Sequence, residues 1–92
     1  MHIRSFEWDD GNEEHIARHH VQPFEIEEVI TLHKPCYQKT RDGRYIAYGV
    51  TDERRYLFIV FVIKEHAALR VITARDMNKR EIRYYKKRKK VN

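Results

Sequence analysis

The chain of 92 residues holds one cysteine, two prolines and three glycines. Each scarcity removes a class of protein. A lone thiol, Cys36, has no partner for an internal disulfide. The sequence therefore reads as that of a cytoplasmic protein, with Cys36 a passive loop or core thiol rather than a nucleophile. Glycines at positions 11, 43 and 49 alone leave no glycine-rich phosphate loop. The longest apolar run, Tyr56 to Ile63, falls far short of the ~20 residues that span a bilayer. The opening MHIRSFEWDD lacks the basic start, apolar stretch and small-residue cleavage site of a signal peptide. His15 and His19 have a spacing that suits zinc. The residues between them, Ile16-Ala17-Arg18, lack the glutamate of a zinc protease, and no cysteine pair supports a metal. The two histidines read better as boundary residues of a helix packed on a sheet. No Ser-His-Asp or Cys-His pattern stands out.

What the chain has in quantity is charge, unevenly placed. Hydrophobic residues make up 41% and charged residues 36%, which suits one small domain over 1–92 with a real core and a highly charged surface. The net charge of +5 hides a gradient. Residues 1–33 carry two basic and eight acidic side chains, residues 34–74 eight and four, and residues 75–92 nine and two. A basic second half points to a polyanion, of which nucleic acid is the commonest. The plainer alternative is a solvated lysine tail that keeps the protein soluble. An acidic front half argues against a general DNA-coating protein.

Periodicity places the elements. Ile3 to Trp8 alternates as a short first strand. Asp9 or Asp10 can cap a helix that runs to about His20, with Asp10 and Glu13 resembling a capping box. Pro23 suits the first turn of a second helix, whose inner face is Ile26, Val29 and Ile30. His33 to Gly43 reads as loop. Arg44 to Thr51 alternates as a strand, Tyr56 to Ile63 reads as a central strand buried on both faces, and Leu69 to Ala74 as its neighbour. Asp76 then caps a last helix to about Arg88, and residues 87–92 read as a frayed basic tail. The order is β-α-α-β-β-β-α: an α+β fold with an antiparallel meander and helices packed against it.

A helical wheel on the last segment turns Met77, Glu81, Tyr85, Asn78 and Ile82 to one side, and Lys79, Arg80, Arg83, Lys86 and Lys87 to the other. An inward Glu81 needs a cation, because an unpaired buried charge is costly. Arg70 and Arg75 are the candidates. A structural salt bridge is one reading. The other is a ribonuclease site, which needs a base for the ribose 2′-hydroxyl, cations for the phosphate and an acid for the leaving 5′-oxygen. Glu81 or a histidine fits the base. His19, His20 or a tyrosine such as Tyr84 fits the acid, and arginine suits the phosphate. Lys79, Arg80 and Arg83 would add cations, and Tyr45 and Tyr84 exposed rings for unpaired bases. A non-catalytic nucleic-acid-binding module and an acidic-partner docking domain fit the same composition.

The stretches FEWDDGNEEHIARHHV, PFEIEEVI, RYIAYGVT and RVITARDMNKREIRYY, in that order, resemble the BrnT-type toxins of bacterial and archaeal toxin–antitoxin pairs, over about residues 5–86. The resemblance implies a RelE-like fold and a ribonuclease that cuts RNA and halts translation without a metal or other cofactor. It also implies a ribbon-helix-helix antitoxin (BrnA-like) as partner, with operator DNA bound only through that antitoxin. The closing motif matches at Arg70, Arg75, Arg80, Glu81 and Tyr84, and the helix-end motif at His19. Where the family often has glycine after that histidine, this chain has His20. The lysine-rich end, KKRKK, goes beyond the shared core.

Overall fold

The computed structural model describes residues 2–90. Its elements are β1 (Ser5–Glu7), α1 (Asp10–Ala17), α2 (Pro23–Leu32), β2 (Cys36–Lys39), β3 (Tyr45–Val50), β4 (Tyr56–Lys64), a 3-10 turn (Glu65–Ala67), β5 (Ala68–Asp76) and α3 (Lys79–Lys89). The strands form one sheet in the order β1-β5-β4-β3-β2. β2 to β5 make an antiparallel meander, and β1 pairs parallel to β5 at the edge. The α+β class follows the sequence expectation, with one strand more. β2 lies in the segment read as loop. It is a four-residue edge strand in which only Cys36 is fully buried, too little alternation to register beside Pro35. At the other end α3 continues through Lys89, so residues 87–89 are helical rather than frayed; residues 91–92 of the expected tail lie outside the described residues.

The helix starts settle one choice the reading left open and correct another. Asp9, not Asp10, caps α1: its side chain accepts from Asn12 N–H at 3.1 Å, and the Asn12 side chain accepts from Asp9 N–H at 2.9 Å. Asn78, not Asp76, caps α3, exchanging bonds of 2.8 and 2.9 Å with Glu81 in the same reciprocal way. Asp76 instead closes β5 and accepts from Arg55 Nε at 2.7 Å. α1 stops at Ala17, short of His20, because the chain turns back there. His20 N–H donates to Ala17 O and Val21 N–H to Ile16 O, with His20 in the left-handed region at φ 61°. These are the bonds of a Schellman end, a position that favours glycine, here filled by a histidine.

The two sheet faces carry different cores. On one, Ile16, Val21, Ile26 and Val29 pack on Ala47, Leu57, Ile59, Phe61, Leu69, Val71 and Ala74. α2 approaches β3 so closely that a Cβ on Gly49 would sit 2.4 Å from Val29 Cγ1, so glycine is required there by contact. On the other face α3 lays Tyr85 and Ile82 with Met77 against Cys36, Tyr48, Tyr56 and Phe58. The half-buried Val60 and Val62 continue that face along β4.

A bulge decides which side chains of β5 reach the α3 face. Phe61 pairs with Val71 but Val60 pairs with Thr73, leaving Ile72 as the extra residue. Before the bulge Leu69 and Val71 point into the α1–α2 core; after it Ala74 does, and Thr73 and Arg75 swing to the α3 side. A regular strand would put Arg70 and Arg75 on opposite faces. The bulge puts them on one.

Candidate active site

Arg75 is the centre of the α3 face. It lies opposite Phe58 across the ladder, and its guanidinium sits over the Phe58 ring at 4.0 Å from the centroid. Both arms reach Glu81: NH1 donates to Oε1 at 2.8 Å and NH2 to Oε2 at 2.9 Å. NH1 also donates to Asp76 O at 3.0 Å. Glu81 is only 16% exposed, and its Oε1 also accepts the Asn78 N–H at 2.9 Å. The Arg75 bonds, then the Asn78 backbone bond, hold the Glu81 carboxyl below its ordinary value, against the upward push of its burial. Glu81 thus completes the α3 capping box and fixes the direction of a guanidinium on β5. Of the nearby arginines, Arg75 alone pairs with this inward acid.

Aromatic rings wall this pair. Tyr48 meets Phe58 edge-on at 5.4 Å and Tyr84 at 4.8 Å. The Tyr84 oxygen accepts from Arg88 NH1 at 2.6 Å. Tyr48 donates to Gln38 Oε1 at 3.2 Å, and its burial pushes the phenol up, so it stays a protonated donor at neutral pH.

Arg70 has other partners. It donates to both oxygens of Asp9, at 2.9 and 3.3 Å, and lies 3.6 Å from Glu7. Through Arg70 first, the Asp9 carboxyl is held below its ordinary range, which tightens the α1 cap. Arg70 pairs with Val62 and Arg75 with Phe58, four ladder steps apart, or roughly 13 Å along the strand. The two arginines share a face but do not converge on one point; of the two candidates for Glu81, Arg75 is its partner and Arg70 is held by Asp9.

α1 brings a residue that the reading had set aside. His15 Nε2 lies 3.0 Å from Thr73 Oγ1, and Thr73 shares the Arg75 face. The His19 ring is 5.9 Å from that of His15. Its backbone, with that of His20, is tied by Arg55: NH2 donates to His19 O at 3.2 Å and NH1 to His20 O at 2.7 Å. The same Arg55 reaches Glu25 and Asp76, joining the end of α1, the start of α2 and the end of β5. Nothing in spacing singled out Arg55; the one signal for His15 was its i, i+4 relation to His19. Tyr45 is the correction among the aromatic candidates. It pairs with Phe61 and stacks on it at 5.4 Å, on the α1–α2 face, away from Arg75. Lys79, Arg80 and Arg83 stand exposed along α3.

Residues 8–81 match a family model described as the ribonuclease toxin BrnT of type II toxin–antitoxin systems. The chain belongs to the BrnT toxin family. No curated protein matches it. Among solved structures, the Brucella abortus ribonuclease toxin BrnT is similar, with a TM-score of 0.65 at 20% identity, covering 82% of this chain and 97% of that one. At that identity the likeness shows a shared fold. The BrnT match takes in Arg70, Arg75, Arg80, Glu81, His15 and His19, and stops before Arg83, Tyr84 and the rest of α3. A BrnT-family toxin of a type II system implies an antitoxin partner. Among the described residues no helix is long and apolar enough to cross a membrane.

Proposed function

We propose that this BrnT-family chain is a cytoplasmic endoribonuclease, a single domain that cuts RNA without a metal and thereby halts translation. A ribbon-helix-helix antitoxin of BrnA type holds it in check and carries the pair to operator DNA. The observation that supports this most is Arg75: a guanidinium fixed on three sides, by Glu81, Phe58 and the Asp76 carbonyl, on the face that also carries Thr73, which His15 contacts. A fork held in place loses little entropy when it takes a phosphate oxygen.

In this reading the 2′-oxygen attacks phosphorus, the bond to the 5′-oxygen breaks, and the products are a 2′,3′-cyclic phosphate and a free 5′-hydroxyl. Arg75 meets the negative charge that builds on the phosphoryl oxygens. Glu81 positions Arg75. Both its oxygens are engaged and its proton affinity is lowered, which makes it a poor base. His15, oriented by Thr73, and His19 beside it move the protons. Tyr48 and Tyr84 offer rings to the flanking base, and Arg70 a second cation farther along the face.

The test is incubation of purified protein with RNA in EDTA. Cleavage is expected, and Arg75→Ala is expected to abolish it while the circular dichroism spectrum stays that of the parent. If Arg75→Ala cuts as the parent does, the assignment fails. The exposed cations of α3 also fit a non-catalytic RNA-binding module; that alternative predicts salt-sensitive binding and no new RNA ends.

A further inference from the structure

Each arginine described above is matched by an acid: Arg55, just before β4, by Glu25 and Asp76, Arg70 by Asp9 and Glu7, Arg75 by Glu81. α3 is different. Lys79, Arg80, Arg83, Lys86, Lys87 and Lys90 are all exposed. At about 100° per residue they fall within one arc of about 120° that excludes the packed Ile82 and Tyr85, with Lys90 just past the helix end. Among the described residues none of the six has a carboxylate partner, and the helix's one acid is already held by Arg75. Lys86 rests over the Tyr56 ring at 5.7 Å.

We infer that this outward face of α3 is a second RNA subsite, which binds the sugar-phosphate backbone of a single strand where it leaves the Arg75 site. The inference rests on the ribonuclease reading for the identity of the RNA as substrate. The fold does not explain the arc. Lys79 and Arg83, Arg83 and Lys86, Arg83 and Lys87, and Lys86 and Lys90 stand three or four apart, where like charges weaken a helix. Only the last turn gains from the helix dipole. An external polyanion relieves the repulsion. A protein partner fits less well, because interfaces are depleted in lysine and this arc, four of whose six cations are lysines, offers no apolar or aromatic side chain.

Geometry joins the arc to the site. α3 begins beside Arg75, tied to it in the first turn by Glu81, with Arg80 next in the chain. Rows of side chains four apart rise about 6 Å per step, a step of the size that separates neighbouring phosphates on an extended strand. The BrnT-family match ends at Glu81, and Lys86, Lys87 and Lys90 lie in the lysine-rich end beyond it.

The test uses the full chain and an RNA with every ribose 2′-O-methylated, which keeps the phosphates and removes the attacking hydroxyl. Binding is measured against salt for the parent and for K86Q/K87Q/K90Q; glutamine is a good helix former, and the variant's melting temperature is expected to equal or exceed the parent's. The slope of log K on log salt should flatten by about 0.7 for each lost phosphate contact, about two in all. With cleavable RNA, KM should rise at least tenfold and kcat at saturating RNA should hold. An unchanged slope overturns the inference, as does RNA binding left intact while binding of a co-purified acidic protein is lost. If the slope is unchanged while Arg75→Ala is inactive, the subsite fails and the ribonuclease reading stands. If the slope flattens while Arg75→Ala cuts normally, the subsite stands and the catalytic assignment fails.

Discussion

Replacing Glu81 by glutamine removes the charge and keeps the shape. The capping bond to Asn78 N–H survives, since an amide oxygen accepts as well, but the bidentate bond to Arg75 does not. The structure brackets the cost. A hydrogen bond to a charged group contributes about 1.5–3 kcal/mol, and a fully exposed ion pair about 0.2–1. Glu81 is 16% exposed and Arg75 37%, so the pair lies between these limits. The capping box already fixes Glu81, so little entropy is lost in pairing. About 1–2 kcal/mol is expected for Glu81→Gln, and each kcal/mol moves the melting temperature of a domain this size by about 4–8 °C. The pH dependence has a definite sign. Because Arg75 depresses the folded-state value of Glu81, its contribution is present above the ordinary 4.5 and is lost as pH falls through the lower folded value. Thermal melts followed by circular dichroism should therefore show a gap between parent and variant at pH 7 that starts to close below about 4.5. In cleavage assays the Arg75→Ala and Glu81→Gln losses should overlap in the double variant rather than add. Additive losses, or a stability gap that persists well below the carboxylate range, would refute the claim that Glu81 acts through Arg75.

Gly49→Ala forces a methyl into Val29 and should cost about 1–3 kcal/mol in urea unfolding; combined with Val29→Ala it should cost less than the sum of the two singles. His20→Gly relieves a left-handed residue at φ 61° and should stabilise the fold by about 1 kcal/mol, read as a rise in melting temperature, with cleavage retained. His15→Gln should lower kcat about a hundredfold or more with little change in KM, and Thr73→Val should do the same in weaker form; equal rates in both variants would return His15 to a packing role.

The parts legible in the sequence are those where a local pattern and burial agree. Pro23 opens α2, and Ile26 and Val29 pack inward as the 3.6-residue period requires. Tyr56 to Ile63 has apolar side chains on both faces because helices cover both, α1–α2 on one and α3 on the other. Glu81 announced an ion pair for the same reason: an acid between the buried Met77 and Tyr85 is largely withdrawn from water. The caps were read only to within a residue or two, because Asp9, Asp10, Asp76 and Asn78 are all chemically fit to cap, and the choice falls to the residue whose backbone is extended and whose N3 partner reaches back.

The composition of the site was less legible, and the bulge at Ile72 explains why. Which β5 side chains share a face depends on a pairing with β4 that no local pattern in residues 68–76 records. By simple alternation Leu69, Val71, Thr73 and Arg75 would lie together, and Arg75 would point toward the aliphatic core formed with α1 and α2. An unpaired guanidinium there costs far more than the disruption of a ladder by one residue. The extra residue lets Ala74 fill the core instead and delivers Thr73 and Arg75 to the α3 face, where Glu81 and the ring of Phe58 receive the guanidinium. Tyr45 shows the converse: with no bulge in β3, alternation holds, and it lands on Phe61 on the far face. The sheet therefore separates the candidates that sequence order had run together, and the irregular strand marks the end at which the protein places Arg75 against Glu81.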